Sequence, residues 1–130
     1  MDLALDTFPY NGTTTTCEAL WMGTPVLTFE GACHAGRVGA SLLRHAGFGN
    51  LVAKDRQEYI ARAVALGRDM ETLAKQRNGL RERFAMSPIM DSGRLARGLE
   101  KAYRAFWVGY CASTQSAPSL EARCNAAQKV

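Results

Sequence analysis

Short apolar runs alternate along this chain with stretches of helical spacing. Leu3-Ala4-Leu5 leads into Asp6, and Val26-Leu27-Thr28-Phe29 is a second β-prone run. Between them, Thr14 to Met22 places Cys17, Leu20 and Trp21 on one apolar face, expected to pack on a sheet. The order strand, loop, helix, strand is that of a parallel α/β unit, with Val26 to Thr28 as an inner strand. A further helix is expected from about Gly36 to Ala46, with Val38, Leu42 and Ala46 as its apolar face, flanked by Gly39 and Leu43. Gly47-Phe48-Gly49 ends it, and Leu51-Val52-Ala53 is the next strand. Asp55 caps a helix over about 56–66 with Tyr59, Ile60, Ala63 and Val64 inward. One helix is then expected from near Asp69 to Ala85, carrying Leu73, Leu80 and Phe84, and stopped by Ser87-Pro88. The last helix, about 92–110, bears the stripe Leu95, Leu99, Ala102, Tyr103, Phe106, Trp107 and Tyr110. Such a stripe is expected to be packing surface rather than a cofactor site. Residues 113–130, rich in Ser, Ala and Gln, read as a disordered tail behind one incomplete domain over 1–112.

The chemistry concentrates between the first two strands, in Asn11-Gly12-Thr13-Thr14-Thr15-Thr16-Cys17-Glu18. Gly12 permits positive φ, and so a sharp turn out of the strand end. A threonine N-cap leaves first-turn N–H groups and hydroxyls aimed at one small volume, which suits phosphate. Thr14, Thr15 and Glu18 share a face one helical turn deep, beyond the strand ends where open α/β sheets bind ligands. A carboxylate there accepts hydrogen bonds from a ribose diol and would repel an anion in contact. The expected ligand is a nucleoside diphosphate, with phosphates on Gly12 to Thr15 and ribose on Glu18. A plain capped helix start, its acid complementing the helix dipole, accounts for the same residues.

Composition narrows the classes. At 130 residues, 47% hydrophobic and 22% charged, the chain has the make-up of a globular protein with one modest core. The net charge of +4 comes without any Lys/Arg block, which argues against nucleic acid as partner. Cys17, Cys33, Cys111 and Cys124 form no Cys-x-x-Cys pair and share no zinc spacing with the histidines. They read as free thiols of a reducing compartment. No run approaches the ~20 apolar residues of a membrane span, and no signal peptide is read ahead of the first strand. A cytoplasmic setting is expected. His34, in the loop after Phe29, is a possible ligand contact or simply solvated. Arg37 pairs with a carboxylate or with the ligand, and His45 reads as structural at a helix end.

Several segments together resemble the O-linked N-acetylglucosamine transferase family, the family-41 glycosyltransferases. They are Leu5-Asp6-Thr7-Phe8-Pro9-Tyr10-Asn11-Gly12, Thr14-Thr15, Ala19-Leu20-Trp21-Met22-Gly23-Thr24-Pro25 and Arg37-Val38-Gly39-Ala40-Ser41-Leu42-Leu43. The similarity runs from about Met1 to about Tyr110. It implies a partial Rossmann-like, three-layer parallel sheet of the GT-B C-terminal lobe, followed by C-terminal helices. By the same resemblance, Thr14 and Thr15 match threonines that hold the UDP diphosphate, and Glu18 stands where an acidic residue binds the ribose. Thr13 and Gly36 depart from the family pattern, which often has His or Gly at the first position and commonly Ser at the second.

The resemblance implies transfer of N-acetylglucosamine from UDP-GlcNAc to protein Ser or Thr, without a required metal or other cofactor. The site set is Asn11, Gly12, Thr13, Thr14, Thr15 and Glu18, with no general base among these 130 residues. Partners implied are the UDP-sugar donor, a protein acceptor, a first catalytic lobe and tetratricopeptide repeats. A fragment of another GT-B glycosyltransferase or sugar-nucleotide epimerase, and a non-catalytic remnant, remain open.

Overall fold

Val26–Phe29 forms β2, and all four of its residues are buried. It is the centre of a three-stranded sheet in the order β1-β2-β3, with β1 at Ala4–Leu5 and β3 at Val52–Ala53. Both pairings are parallel: Ala4 lies opposite Val26 and Leu5 opposite Leu27, while Thr28 faces Val52 and Phe29 faces Ala53. Parallel neighbours need crossovers, and helices supply them. Helix α1, Thr14–Trp21, links β1 to β2, and α2, Val38–His45, links β2 to β3. The expected α/β fold with an inner second strand is the fold observed. The computed structural model describes residues 1–115, in two compact units, Met1–Asp91 and a second beginning at Ser92.

In the first unit, Leu20, Val26, Leu43, Ala46, Phe48, Leu51, Leu80 and Phe84 make one buried cluster. Three faces differ from the pattern-based expectation. Trp21 is 39% exposed, and the Arg81 guanidinium lies 4.8 Å above its ring. Helix α2 buries Gly39, Ala40 and Leu43, so Val38 and Leu42 turn to the rim of a cleft. Helix α3, Arg56–Arg68, leaves Ile60 and Val64 exposed. Tyr59 turns to the sheet as expected, where the ring meets Phe29 at 5.2 Å and the hydroxyl donates to the Asp6 carbonyl at 2.8 Å. Asp55 caps α3 as expected, accepting the Glu58 N–H.

The single helix expected over 69–85 is two. Helix α4 covers Met70–Arg77 and α5 covers Leu80–Ala85. Between them Gly79 sits at φ +65°, a left-handed conformation that interrupts the hydrogen-bond ladder. Leu73, Leu80 and Phe84 are buried as expected, with α5 against α1.

The second unit is α6, Ser92–Gln115, longer than expected. Ser113 to Gln115 are helical rather than the start of a tail; the rest of that expected tail, 116–130, lies outside the described residues. The stripe residues Leu95, Leu99, Tyr103, Phe106, Trp107 and Tyr110 are exposed.

Candidate functional site

The loop that leaves β1 is held by internal hydrogen bonds. Asp6 Oδ1 accepts the N–H groups of Thr7 at 3.0 Å and Gly12 at 2.8 Å. Thr7 Oγ1 donates to the Tyr10 carbonyl at 2.5 Å, and the Asn11 N–H donates to the Ala35 carbonyl at 2.9 Å. The Phe8–Pro9 peptide is cis, and the Phe8 ring stacks on Phe29 at 4.9 Å. The loop therefore delivers the N-terminus of α1 to the carboxyl end of the parallel strands, where ligands of such sheets bind.

The six predicted site residues all fall on this loop and first helical turns, in three different environments. Asn11 is buried, and its side chain is committed internally: Nδ2 donates to the Thr7 carbonyl at 2.9 Å and Oδ1 accepts the Gly39 N–H at 3.2 Å. Gly12 is half-buried, and its φ is not positive; the positive-φ glycines among the described residues are Gly23, Gly47 and Gly79. A glycine is needed at position 12 for another reason. A Cβ there would overlap the Thr15 hydroxyl and lie 3.0 Å from that of Thr16.

Thr13, Thr14, Thr15 and Glu18 are exposed. Thr13 stands at the N-cap, but its hydroxyl makes no capping bond. The Cys17 N–H donates to the Thr13 carbonyl at 3.2 Å, so the N–H groups of Thr14, Thr15 and Thr16 precede the helical ladder. Thr16, the fourth threonine, is buried, and its hydroxyl donates back to the Gly12 carbonyl at 2.9 Å. Three exposed threonines and the first-turn donors thus stand beyond the strand ends, with Glu18 one turn along and the Thr15 hydroxyl turned back beside Gly12. Cys17, inside that turn, has its thiol pKa raised by burial and by the neighbouring Glu18 charge.

A cleft of ≈ 580 Å³ begins at Thr13 and runs along α2, lined by His34, Arg37, Ser41, Arg44 and His45 among others. His34 is exposed in a 3-10 turn, His34–Gly36. Glu30 pairs with Arg44 at 2.7 Å, which holds its carboxyl below the usual range. Arg37 is exposed rather than in a buried pair. His45 Nδ1 faces the Ser41 carbonyl at 2.8 Å, a structural bond in the last helical turn. The sequence singled out His34, Arg37 and His45 but neither Arg44 nor the cleft that gathers them, because helix rotation decides which faces meet. Among the described residues, no group of three or more His, Cys, Asp or Glu could hold a metal ion. Among them also, no helix is long and apolar enough to cross a membrane.

Comparison with known proteins bears on this geometry. Residues 1–99 match a family model described as Glycosyl transferase family 41. The chain is 51% identical over 111 residues to the probable UDP-N-acetylglucosamine–peptide N-acetylglucosaminyltransferase SPINDLY of Hordeum vulgare, covering 85% of this chain. It is 38% identical over 109 residues, 84% of its length, to the UDP-N-acetylglucosamine–peptide N-acetylglucosaminyltransferase of Caenorhabditis elegans. The chain spans 12% of the barley protein and 10% of the worm protein. A mutant of the Thermobaculum terrenum O-GlcNAc transferase has a similar structure, with a TM-score of 0.79 and 49% identity over 88% of this chain and 22% of that one.

Proposed function

This chain belongs to glycosyl transferase family 41, and from that premise we propose that it forms the donor-nucleotide half of a UDP-GlcNAc:protein Ser/Thr N-acetylglucosaminyltransferase. The loop Gly12 to Thr15 would hold the UDP diphosphate and Glu18 the ribose. The observation that carries the reading is the joint exposure of Thr13, Thr14, Thr15 and Glu18 at the start of a helix leaving a parallel strand. Hydroxyls and first-turn N–H groups stabilise a leaving diphosphate because they already point at the charge that develops. No metal or other cofactor enters the proposal, in which first-turn N–H groups and hydroxyls meet the leaving diphosphate. The sugar acceptor is a protein hydroxyl, and the base that deprotonates it comes from outside these residues, from a first catalytic lobe. The setting is cytoplasmic, in keeping with the free thiols of Cys17, Cys33 and Cys111.

The test is titration of UDP into the chain with backbone amide resonances followed by NMR. Shifts confined to Gly12 through Glu18, weakened in Thr15→Val by about 0.5–1.5 kcal/mol for the lost hydroxyl, are expected. Shifts elsewhere, or an unaffected Thr15→Val, would overturn the reading.

A further inference from the structure

We infer that Asp6 is the positioning residue of the donor loop, its inward carboxylate fixing the Gly12 amide so that the threonine donors keep their aim; this rests on the reading of the loop as the diphosphate site. Asp6 directly follows β1, and its carboxylate accepts bonds from three partners. Oδ1 accepts the N–H groups of Gly12 at 2.8 Å and Thr7 at 3.0 Å, and Oδ2 accepts the Thr28 hydroxyl at 2.7 Å. Thr28 is fully buried in the central strand, so the loop is tied to the middle of the sheet. The Asp6 backbone is held as well, by the Tyr59 hydroxyl on its carbonyl at 2.8 Å. Helix α2 closes over the carboxylate at Gly39, where a Cβ would overlap Asp6 Oδ2 and lie 2.9 Å from Thr28 Oγ1.

The geometry also says how Asp6 reaches the ligand site. The space beside Gly12 that a Cβ would take is filled by the Thr15 hydroxyl. The Thr15 side chain therefore packs beside the Gly12 backbone, and displacing that backbone changes its surroundings. A negative charge behind an anion site would by itself oppose binding, so the contribution of Asp6 is geometric. Its lone pairs are spent on the loop and the sheet, not on the ligand.

That distinction sets the experiment, on the 130-residue chain with UDP and inorganic pyrophosphate as probes. Asp6→Ala frees the Gly12 amide and should weaken both ligands by about ten- to a hundredfold, the scale of a misplaced binding group. Asp6→Asn should stay within about threefold of the parent, because its amide oxygen can accept both N–H groups and its NH₂ can donate to Thr28. Gly39→Ala, which displaces the carboxylate without removing it, should behave like Asp6→Ala. Hydrogen exchange separates positioning from global stability: in Asp6→Ala the Gly12 amide should exchange fast while the Leu27 and Leu43 amides remain protected.

Equal loss in Asp6→Asn and Asp6→Ala would overturn the proposal in favour of charge, and unchanged affinity in a folded Asp6→Ala would overturn it outright. If Asp6→Ala does not fold, the parent protein decides. Its Gly12 amide should be protected from hydrogen exchange, and a Gly12 amide that exchanges as fast as a solvent-exposed one sinks the link. Thr15→Val keeps the two proposals apart. If it leaves UDP binding intact the diphosphate reading falls, whereas if it weakens binding and Asp6→Ala does not, only the role of Asp6 falls.

Discussion

The Asn11 side-chain carbonyl accepts the backbone N–H of Gly39 at 3.2 Å, across 28 residues of sequence. Its amide group donates to the Thr7 carbonyl at 2.9 Å, so one buried side chain joins the loop after β1 to the first turn of α2. Asn11→Ala leaves the buried Gly39 N–H without a partner, which costs about 1–3 kcal/mol, while the carbonyl of exposed Thr7 can turn to water. The expected outcome is a clear fall in the urea midpoint, by an amount near that one penalty. An unchanged midpoint would mean that the two bonds contribute nothing net.

Asn11 marks what the sequence discloses and what it conceals. Position along the chain put it beside Gly12 in the candidate site, and the structure commits its side chain to the protein interior. That its amide turns inward depends on Gly39, which no local pattern pairs with it. Gly12 is similar: the need for glycine was legible, but the cause is the Thr15 hydroxyl rather than a left-handed turn. The four threonines look alike in sequence, yet Thr16 alone is buried, since helical rotation carries it under the loop. The inner strand was legible because four buried residues in a row suit only a covered parallel strand. The inward face of α3 was legible in part: Tyr59 meets the sheet as expected, where its hydroxyl finds a hydrogen-bond partner, while Ile60 and Val64 share its helical spacing and yet stay exposed.

Gly79 tests the break that the pattern missed. At φ +65° a side chain is strained, and Gly79→Ala should destabilise by about 1–2 kcal/mol despite the lower entropy of the unfolded chain. Gly67, inside α3 with open space around its missing Cβ, is the control, and Gly67→Ala should stabilise by about 0.5–1 kcal/mol. Chemical denaturation of both variants checks the pair. Stabilisation by Gly79→Ala would show that α4 and α5 join into one helix at little cost.

Tyr59 makes stability depend on alkaline pH. Burial, then the Asp6 charge, raises its pKa above the ordinary 10.0. A phenol with a raised pKa in the fold binds its proton more tightly there than in the unfolded chain. Its stabilising share is complete below the ordinary value and is lost as pH rises through the folded one. Tyr59→Phe should therefore cost about 0.5–1.5 kcal/mol near neutral pH for the bond to the Asp6 carbonyl. The gap between parent and variant should narrow above about pH 10. A gap that widens with pH would reverse the sign and refute the assignment.

The last prediction separates ribose from phosphate at Glu18. Its carboxylate is exposed one turn beyond the threonines, and like charge would keep a phosphate from touching it. Ribose hydroxyls donate to a carboxylate, and losing a charged acceptor costs about 1.5–3 kcal/mol, or roughly ten- to a hundredfold in affinity. Glu18→Ala should therefore weaken UDP by that factor. Pyrophosphate, which has no ribose, should bind the variant as well as the parent or better, since a repelling charge is gone. Thr14→Val and Thr15→Val should instead weaken both ligands, each by about 0.5–1.5 kcal/mol. Thr13→Val should do least, because Thr13 lies at the N-cap, where its hydroxyl caps nothing and opens on the cleft beside His34 and Arg37. Calorimetry with the two ligands on the four variants reads the pattern directly. Equal loss of UDP and pyrophosphate in Glu18→Ala, or loss of neither, removes the ribose from Glu18 and leaves that residue as a solvated acid on a capped helix.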